Sequence, residues 1–221
     1  MNETVVVVTG AAPLDSDAVA HLPAGAIVLA ADGGLDHALA AGLTPAGLVG
    51  DLDSVSAEGL AWAEAHATIQ RHDPAKDRTD TELALTMAAT FQPARLVMIA
   101  GEGDRLDHTL AAIGALGASE LTSIPTIEGW WGDEHFHVVH GPGQLDLDVV
   151  VGATISLLAT HGPCAGVTIT GTEWPLDHAD LPAAVGLGVS NVATEPTVAI
   201  SLTGGIVTVF AHPPATAKDH L

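Results

Sequence analysis

The sequence predicts an α/β fold joined to an all-β one: an N-terminal Rossmann-like parallel-sheet domain followed by a C-terminal antiparallel β-sandwich. Three observations carry this expectation. Up to about residue 130, short apolar runs alternate with longer Ala-rich amphipathic segments, the rhythm of strands and crossover helices. Beyond Trp131, apolar runs of strand length follow one another between Gly, Pro and Asn, with no helical pattern among them. The 48% hydrophobic content over 221 residues is enough for a substantial core.

Taken in order, VVVV (5–8), AIVLAA (26–31), GLVG (47–50), ATIQ (67–70) and RLVMIA (95–100) are short and continuously apolar, as strands covered by helices on both faces should be. Between them, 14–21, 34–41, 56–65, 79–90 and 107–117 predict helices. Ser54 or Ser56 is placed to cap the third helix. Thr79 and Glu82 have capping-box spacing at the fourth. In the second half HFHVVH, QLDLDVVV, TISLLA, GVTIT, VGLGVS, TVAISL and IVTVFA predict strands. The boundary falls near 128–133, giving domains 1–130 and 131–213 and a flexible tail over 214–221, with Trp130 and Trp131 packed at the junction.

Composition narrows the partners. Asp and Glu number 27 against 6 Lys and Arg, a formal charge of -21, and no basic patch interrupts the acidity. Such a field repels phosphate backbones and anionic lipid surfaces, so neither nucleic acid nor membrane is an expected partner. The opening MNETVVVVTGAAP has no basic leader and too short an apolar run for an anchor. The single cysteine, Cys164, excludes an internal disulfide and fits a reducing, cytoplasmic setting.

In an open parallel sheet, ligands bind outside the carboxyl ends of the strands. Four polar clusters fall at such ends: Asp32-Gly33-Gly34, Gly50-Asp51-Leu52-Asp53-Ser54, Lys76-Asp77-Arg78-Thr79-Asp80 and Arg105-Leu106-Asp107-His108. The Asp51/Asp53 pair suits Mg²⁺, which takes one or two carboxylates and keeps waters and phosphate oxygens as its other ligands; the plain alternative is a surface turn. The lysine and arginine of the third cluster, set among acids, suit a triphosphate with its metal. For Arg105 and Asp107 the plain alternative is a helix-start ion pair.

ADGGLDHAL, TPAGLVGDLDSVS, KDRTDTELAL and GDRLDHTLAAIGAL, in this order and at these separations, resemble the thiamine pyrophosphokinase family. ATISLLA, GVTITGTEWPL and GLGVSN resemble the same family's β-domain signatures, so that the resemblance extends over residues 5–210. It implies an ATP:thiamine diphosphotransferase that moves a pyrophosphoryl group to the thiamine hydroxyl and releases AMP. It further implies that 1–130 is the ATP-binding catalytic domain, that 131–213 is the thiamine-binding sandwich, and that the working form is a homodimer with its active site between subunits. Carried across position by position, Asp51, Asp53 and Asp80 look like the Mg²⁺-ATP carboxylates, with Arg105 and Asp107 as further catalytic residues. Asp32, Gly33, Ser54, Lys76, Asp77, Thr79 and His108 look like the nucleotide-binding set, and Trp174, Ser190 and Asn191 like the thiamine side. Either Asp80 or Asp107 could accept the alcohol proton. Asp104, Glu173 and Val192 depart from the family pattern. Two other classes remain open: a D-x-D phosphatase, whose loop would follow the first strand rather than the third, and a non-catalytic thiamine- or nucleotide-binding module.

Overall fold

Four consecutive valines make the first strand, β1 (Thr4–Val8), and each is fully buried. Burying a valine contributes about 1.5–3 kcal/mol relative to leaving it in water, and branching at Cβ suits the extended backbone. β2 (Ile27–Ala31), β3 (Gly47–Gly50), β4 (Thr68–Arg71), β5 (Arg95–Ala100) and β6 (Thr126–Trp131) complete a sheet in the order β6-β5-β1-β2-β3-β4, every pair parallel. This is a computed structural model, and it describes residues 3–103, 105–183 and 185–214. The chain divides into two compact units, the first ending at residue 135.

The first unit steps outward from β1 to β4, then returns to the other side of β1 as β5. The order therefore reverses between β1 and β5, the place where open α/β sheets leave a crevice. Five helices connect the strands: α1 (Ser16–Ala20), α2 (Gly34–Ala40), α3 (Ala57–His66), α4 (Asp80–Thr90) and α5 (Leu106–Ala115). Their starts follow the capping chemistry in the sequence. Ser56 accepts the Gly59 N–H at 2.9 Å, and Thr79 and Glu82 form both halves of a capping box at 3.2 and 2.7 Å. One core cluster joins Val6, Val8, Val28, Val97 and Ile99 to Ala18 and Ala38; another joins Ala30, Leu35, Leu48, Leu52 and Ala63.

β6 is absent from the sequence expectation, because TIEGWW interrupts an apolar run with a glutamate. In the fold Glu128 is only 6% exposed, yet fully answered: Arg95 donates through Nε at 2.8 Å and Nη2 at 2.9 Å, and His135 Nε2 lies 3.0 Å away. A buried charge is tolerated when paired in this way. Trp130 belongs to the first unit's own core, stacked on His135 at 4.3 Å and on His21 at 4.8 Å.

The second unit is all β. β7 (Glu134–His140), β8 (Gly143–Asp148), β9 (Thr154–Leu158), β10 (Cys164–Thr170), β11 (Leu176–Leu181), β12 (Asn191–Val192), β13 (Thr197–Leu202) and β14 (Ile206–His212) form two antiparallel sets, β12-β9-β14-β7 and β11-β10-β13-β8. Ile155, Leu157, Val207 and Val209 of one set and Val167, Ile169, Val198 and Ile200 of the other share one core, the pattern of a sandwich. Residues 185–190, expected as a strand, contain instead a 3-10 turn, Gly186–Gly188, with Leu187 exposed. Gly188 explains this: a Cβ there would lie 2.8 Å from the Leu157 backbone oxygen, so the segment is a close crossing rather than a ladder. β11 escaped prediction because LDHADL is polar and its pairing slips register. The expected tail lies outside the described residues beyond Pro214. Among the described residues no helix is long and apolar enough to cross a membrane.

Candidate active site

A cleft of about 450 Å³ opens at the carboxyl ends of the first unit's strands. That volume falls in the range usual for small-molecule sites. Thr9 and Gly10 reach it from β1, Asp32 and Gly33 from β2, and Ser54 from β3. Asp80 comes from the start of α4, Lys76 from the loop before it, His108 from α5 and Trp131 from β6. Two glycines make the convergence possible. A Cβ on Gly34 would sit 2.4 Å from the Val8 carbonyl oxygen, so only glycine lets α2 begin against the end of β1. Gly50 has φ +151°, and a Cβ there would sit 3.0 Å from Asp80 Oδ1 and 3.1 Å from Asp32 Cβ. The glycine of GDLDS thus leaves room for two carboxylates.

Asp32, Asp51 and Asp53 each bring a carboxylate oxygen within 4.8 Å of the others. The backbone is bent to do it: Asp32 has φ 46° and Leu52 φ 68°, conformations that cost a non-glycine residue of order 1 kcal/mol. Burial of Leu52 in the core holds the loop down, and the Asp32 N–H donates to the Val49 carbonyl at 2.9 Å. Asp36 ties the far end of the loop, accepting the Ser56 N–H at 2.7 Å and its hydroxyl at 2.6 Å. Ser54 donates its hydroxyl to Asp53 at 2.9 Å.

The electrostatics are uneven. Asp32 Oδ1 is buried without a hydrogen-bond partner, and burial raises this carboxyl above its ordinary pKa; the Gly33 N–H opposes the rise, and Asp80 and Asp53 add to it. Lys76 Nζ lies 2.8 Å from Asp51 Oδ2 and 3.1 Å from Asp80 Oδ1, its side chain 15% exposed. Its hydrogen bond holds Asp51 below the usual carboxylate range, and the same bond raises Lys76. Three carboxylates with an unanswered buried oxygen fit a hard divalent cation, which takes oxygen ligands and would satisfy that oxygen.

Of the residues expected from sequence, Asp32, Gly33, Ser54, Lys76, Thr79, Asp80 and His108 line the cleft. Asp51 and Asp53 stand beside it in the carboxylate group. That group contains Asp32 where the sequence had placed Asp80, which is paired with Lys76. The Thr79 hydroxyl is spent on its capping box. Asp77 is exposed and does not line the cleft. Arg105 and Asp107 pair with each other at the exposed start of α5, and Arg105 holds the Asp107 carboxyl below its usual range. Asp104 lies outside the described residues. Thr9, Arg78 and Trp131 also line the cleft. Thr9, which the sequence expectation does not include, ends the valine run, so strand-end position was an available signal for it; Arg78 sits inside KDRTD, whose lysine and arginine already suited a triphosphate.

In the second unit, Asn191 is 7% exposed and its amide is consumed locally. Oδ1 accepts the N–H of Trp174 at 3.1 Å and of Val192 at 2.9 Å, while Nδ2 donates to Thr172 Oγ1 at 3.1 Å and the Trp174 carbonyl at 2.6 Å. Asn191 therefore fixes the backbone of Trp174, a residue that is 57% exposed. Ser190 is exposed, with φ 60° and its N–H donated to Ser156 Oγ at 3.1 Å.

Comparison with known proteins covers both units. Residues 21–127 match the family model described as thiamin pyrophosphokinase, catalytic domain, and 139–207 that of the thiamin pyrophosphokinase vitamin B1 binding domain. A thiamine pyrophosphokinase from Bacillus subtilis is 28% identical over 181 residues, covering 80% of this chain and 82% of the relative. The crystal structure of thiamine pyrophosphokinase from Bacillus subtilis superposes with a TM-score of 0.78 at 24% identity, covering 97% of this chain and all of that one. Thiamin pyrophosphokinase from Candida albicans gives a TM-score of 0.77 at 13% identity over 96% of this chain and 89% of its own. At these identities the superpositions show a shared fold.

Proposed function

The chain belongs to the thiamin pyrophosphokinase family, and from that premise we propose how its residues work. It is a kinase-type transferase, and its reaction is transfer of the pyrophosphoryl group of ATP to the thiamine hydroxyl, giving thiamine diphosphate and AMP. The observation that carries the reading is the gathering of Asp32, Asp51 and Asp53 beside the cleft, with Lys76 and Asp80 on its wall. Phosphoryl-type transfer needs positioning and charge neutralisation more than covalent work by the protein.

Asp32, Asp51 and Asp53 would hold Mg²⁺. When bound, that ion supplies neutralisation of charge on the phosphate oxygens. Lys76 keeps Asp51 and Asp80 from repelling each other and fixes their direction. Asp80 lines the cleft while Asp107 is spent on Arg105 outside it, so Asp80 is the better placed acceptor for the alcohol proton. The exposed Trp174 offers its ring face to the thiamine cation. Exposed Val185, Leu187 and Val189 beside the strained Ser190 support a homodimer with its site completed between subunits, and the single buried Cys164 supports a cytoplasmic setting. The D-x-D phosphatase alternative is not favoured, since β1 and β2 precede the acidic loop.

The test is to incubate the purified protein with ATP, Mg²⁺ and thiamine and follow AMP and thiamine diphosphate together. Equal amounts of both establish diphosphoryl transfer. ADP with thiamine monophosphate, or no thiamine-dependent product, would overturn it.

A further inference from the structure

We propose that Arg78, aimed by Glu120, is the residue that receives the polyphosphate tail of the nucleotide, and that the neighbouring Lys76 serves the carboxylates instead. The inference rests on the reading of the cleft as a nucleotide site.

The chain has only six Lys and Arg to set against a tetra-anionic substrate: Arg71, Lys76, Arg78, Arg95, Arg105 and Lys218. Among the described residues that line the cleft, Lys76 and Arg78 are the only two of these. The Lys76 ammonium, its side chain 15% exposed, has two of its three donors directed at Asp51 and Asp80, so its charge is already answered by two carboxylates and at most one donor is left for phosphate. Arg95 is committed to Glu128 through two hydrogen bonds at a different part of the sheet. Arg105 pairs with Asp107 and does not line the cleft, nor does Arg71 at the end of the edge strand. Lys218 lies outside the described residues.

Arg78 differs in both geometry and accessibility. Its side chain is 41% exposed, and one nitrogen, Nη2, donates to Glu120 Oε1 at 2.9 Å. Glu120 is itself held: its other oxygen accepts the Ser119 hydroxyl at 3.0 Å, in the 3-10 turn (Ser119–Leu121) that follows α5. A guanidinium is a planar fork with several N–H donors, so a single carboxylate contact fixes its plane and leaves donors for phosphate oxygens. An exposed ion pair of this kind adds little to stability, which leaves orientation as what it contributes. Glu120, which does not line the cleft, is thus a positioning residue.

Three variants, Arg78→Met, Arg78→Lys and Glu120→Gln, decide the matter, with steady-state kinetics and direct titrations of ATP and AMP in the presence of Mg²⁺. Loss of a charge-assisted contact in R78M should raise KM for ATP and the ATP dissociation constant about 10-fold or more, with KM for thiamine and AMP affinity changed less than about twofold. R78K should recover roughly half of that loss, a point charge replacing the fork, and E120Q should raise KM for ATP only about threefold, kcat unchanged. Wild-type ATP affinity in R78M would overturn the inference, as would equal losses for ATP and AMP, which would move Arg78 to the nucleoside end. Should R78M fail to fold, R78K and E120Q carry the same test. If the wild-type protein forms no thiamine diphosphate, the functional reading fails, while the ATP-against-AMP titration still decides the role of Arg78.

Discussion

The carboxylates beside the strand-end cleft and the amide of Asn191 are both motif residues, yet the fold uses them in opposite ways. Asp32, Asp51 and Asp53 are brought together with capacity left over, one oxygen buried and unanswered. Asn191 has every donor and acceptor spent on its own unit, two of its contacts on the backbone of Trp174. The first arrangement stores binding capacity in a strained loop; the second converts a polar side chain into scaffolding for an exposed ring. The carboxylates of the first unit thus keep unspent capacity, while the amide of the second holds the backbone of an exposed residue.

Breaking the carboxylate side should have the largest effect. Asp51→Asn and Asp53→Asn should each lower kcat roughly 100-fold or more, since metal charge stabilisation is worth several kcal/mol; the thermal midpoint should move little in Asp53→Asn, an exposed loop residue, and further in Asp51→Asn, whose side chain is 12% exposed and paired with Lys76. Calorimetry beside the turnover assay checks both halves. Next comes Gly50→Ala, whose Cβ would press on Asp80 and Asp32. Turnover should fall about 10-fold, through displaced carboxylates rather than lost ones, with apparent Mg²⁺ affinity falling in parallel.

The Asn191 side should respond differently. Asn191→Ala leaves the Trp174 N–H and carbonyl without their partner and should cost about 1–3 kcal/mol in denaturant unfolding. KM for thiamine should rise while KM for ATP holds; the reverse order would break the comparison. Smallest is the Cys164 effect. Burial raises this thiol's pKa above its ordinary value, and its S–H donates to the Ile206 carbonyl at 3.2 Å. Its contribution to stability is therefore fully present below the ordinary thiol pKa and is lost as pH rises toward the raised one. The unfolding midpoint should decline slightly above about pH 9, and Cys164→Val should flatten that decline.

Much of this was legible in the sequence. The five helices and the first five strands follow from apolar runs and caps, and Thr79 with Glu82 announced its own helix start. The acidic clusters could be placed at strand ends because a parallel sheet leaves its carboxyl ends open. What escaped was set by distant partners. β6 was hidden by Glu128, which is acceptable in a buried strand only because Arg95 and His135 reach it. That Asp32 stands with Asp51 and Asp53, and that Lys76 reaches Asp51 across 25 residues while also pairing with Asp80, is not revealed by spacing alone. The resemblance placed Asn191 on the thiamine side, and its sequence position says nothing about the Trp174 backbone it also holds.

The most direct test of the central claim is Mn²⁺ binding in the presence of ATP, read by electron paramagnetic resonance in the wild-type protein and in Asp32→Asn and Asp53→Asn. If Asp32, Asp51 and Asp53 form the metal site, each variant should weaken Mn²⁺ binding about 10-fold or more while ATP affinity without metal is unchanged. Undiminished Mn²⁺ affinity in both variants would contradict the account.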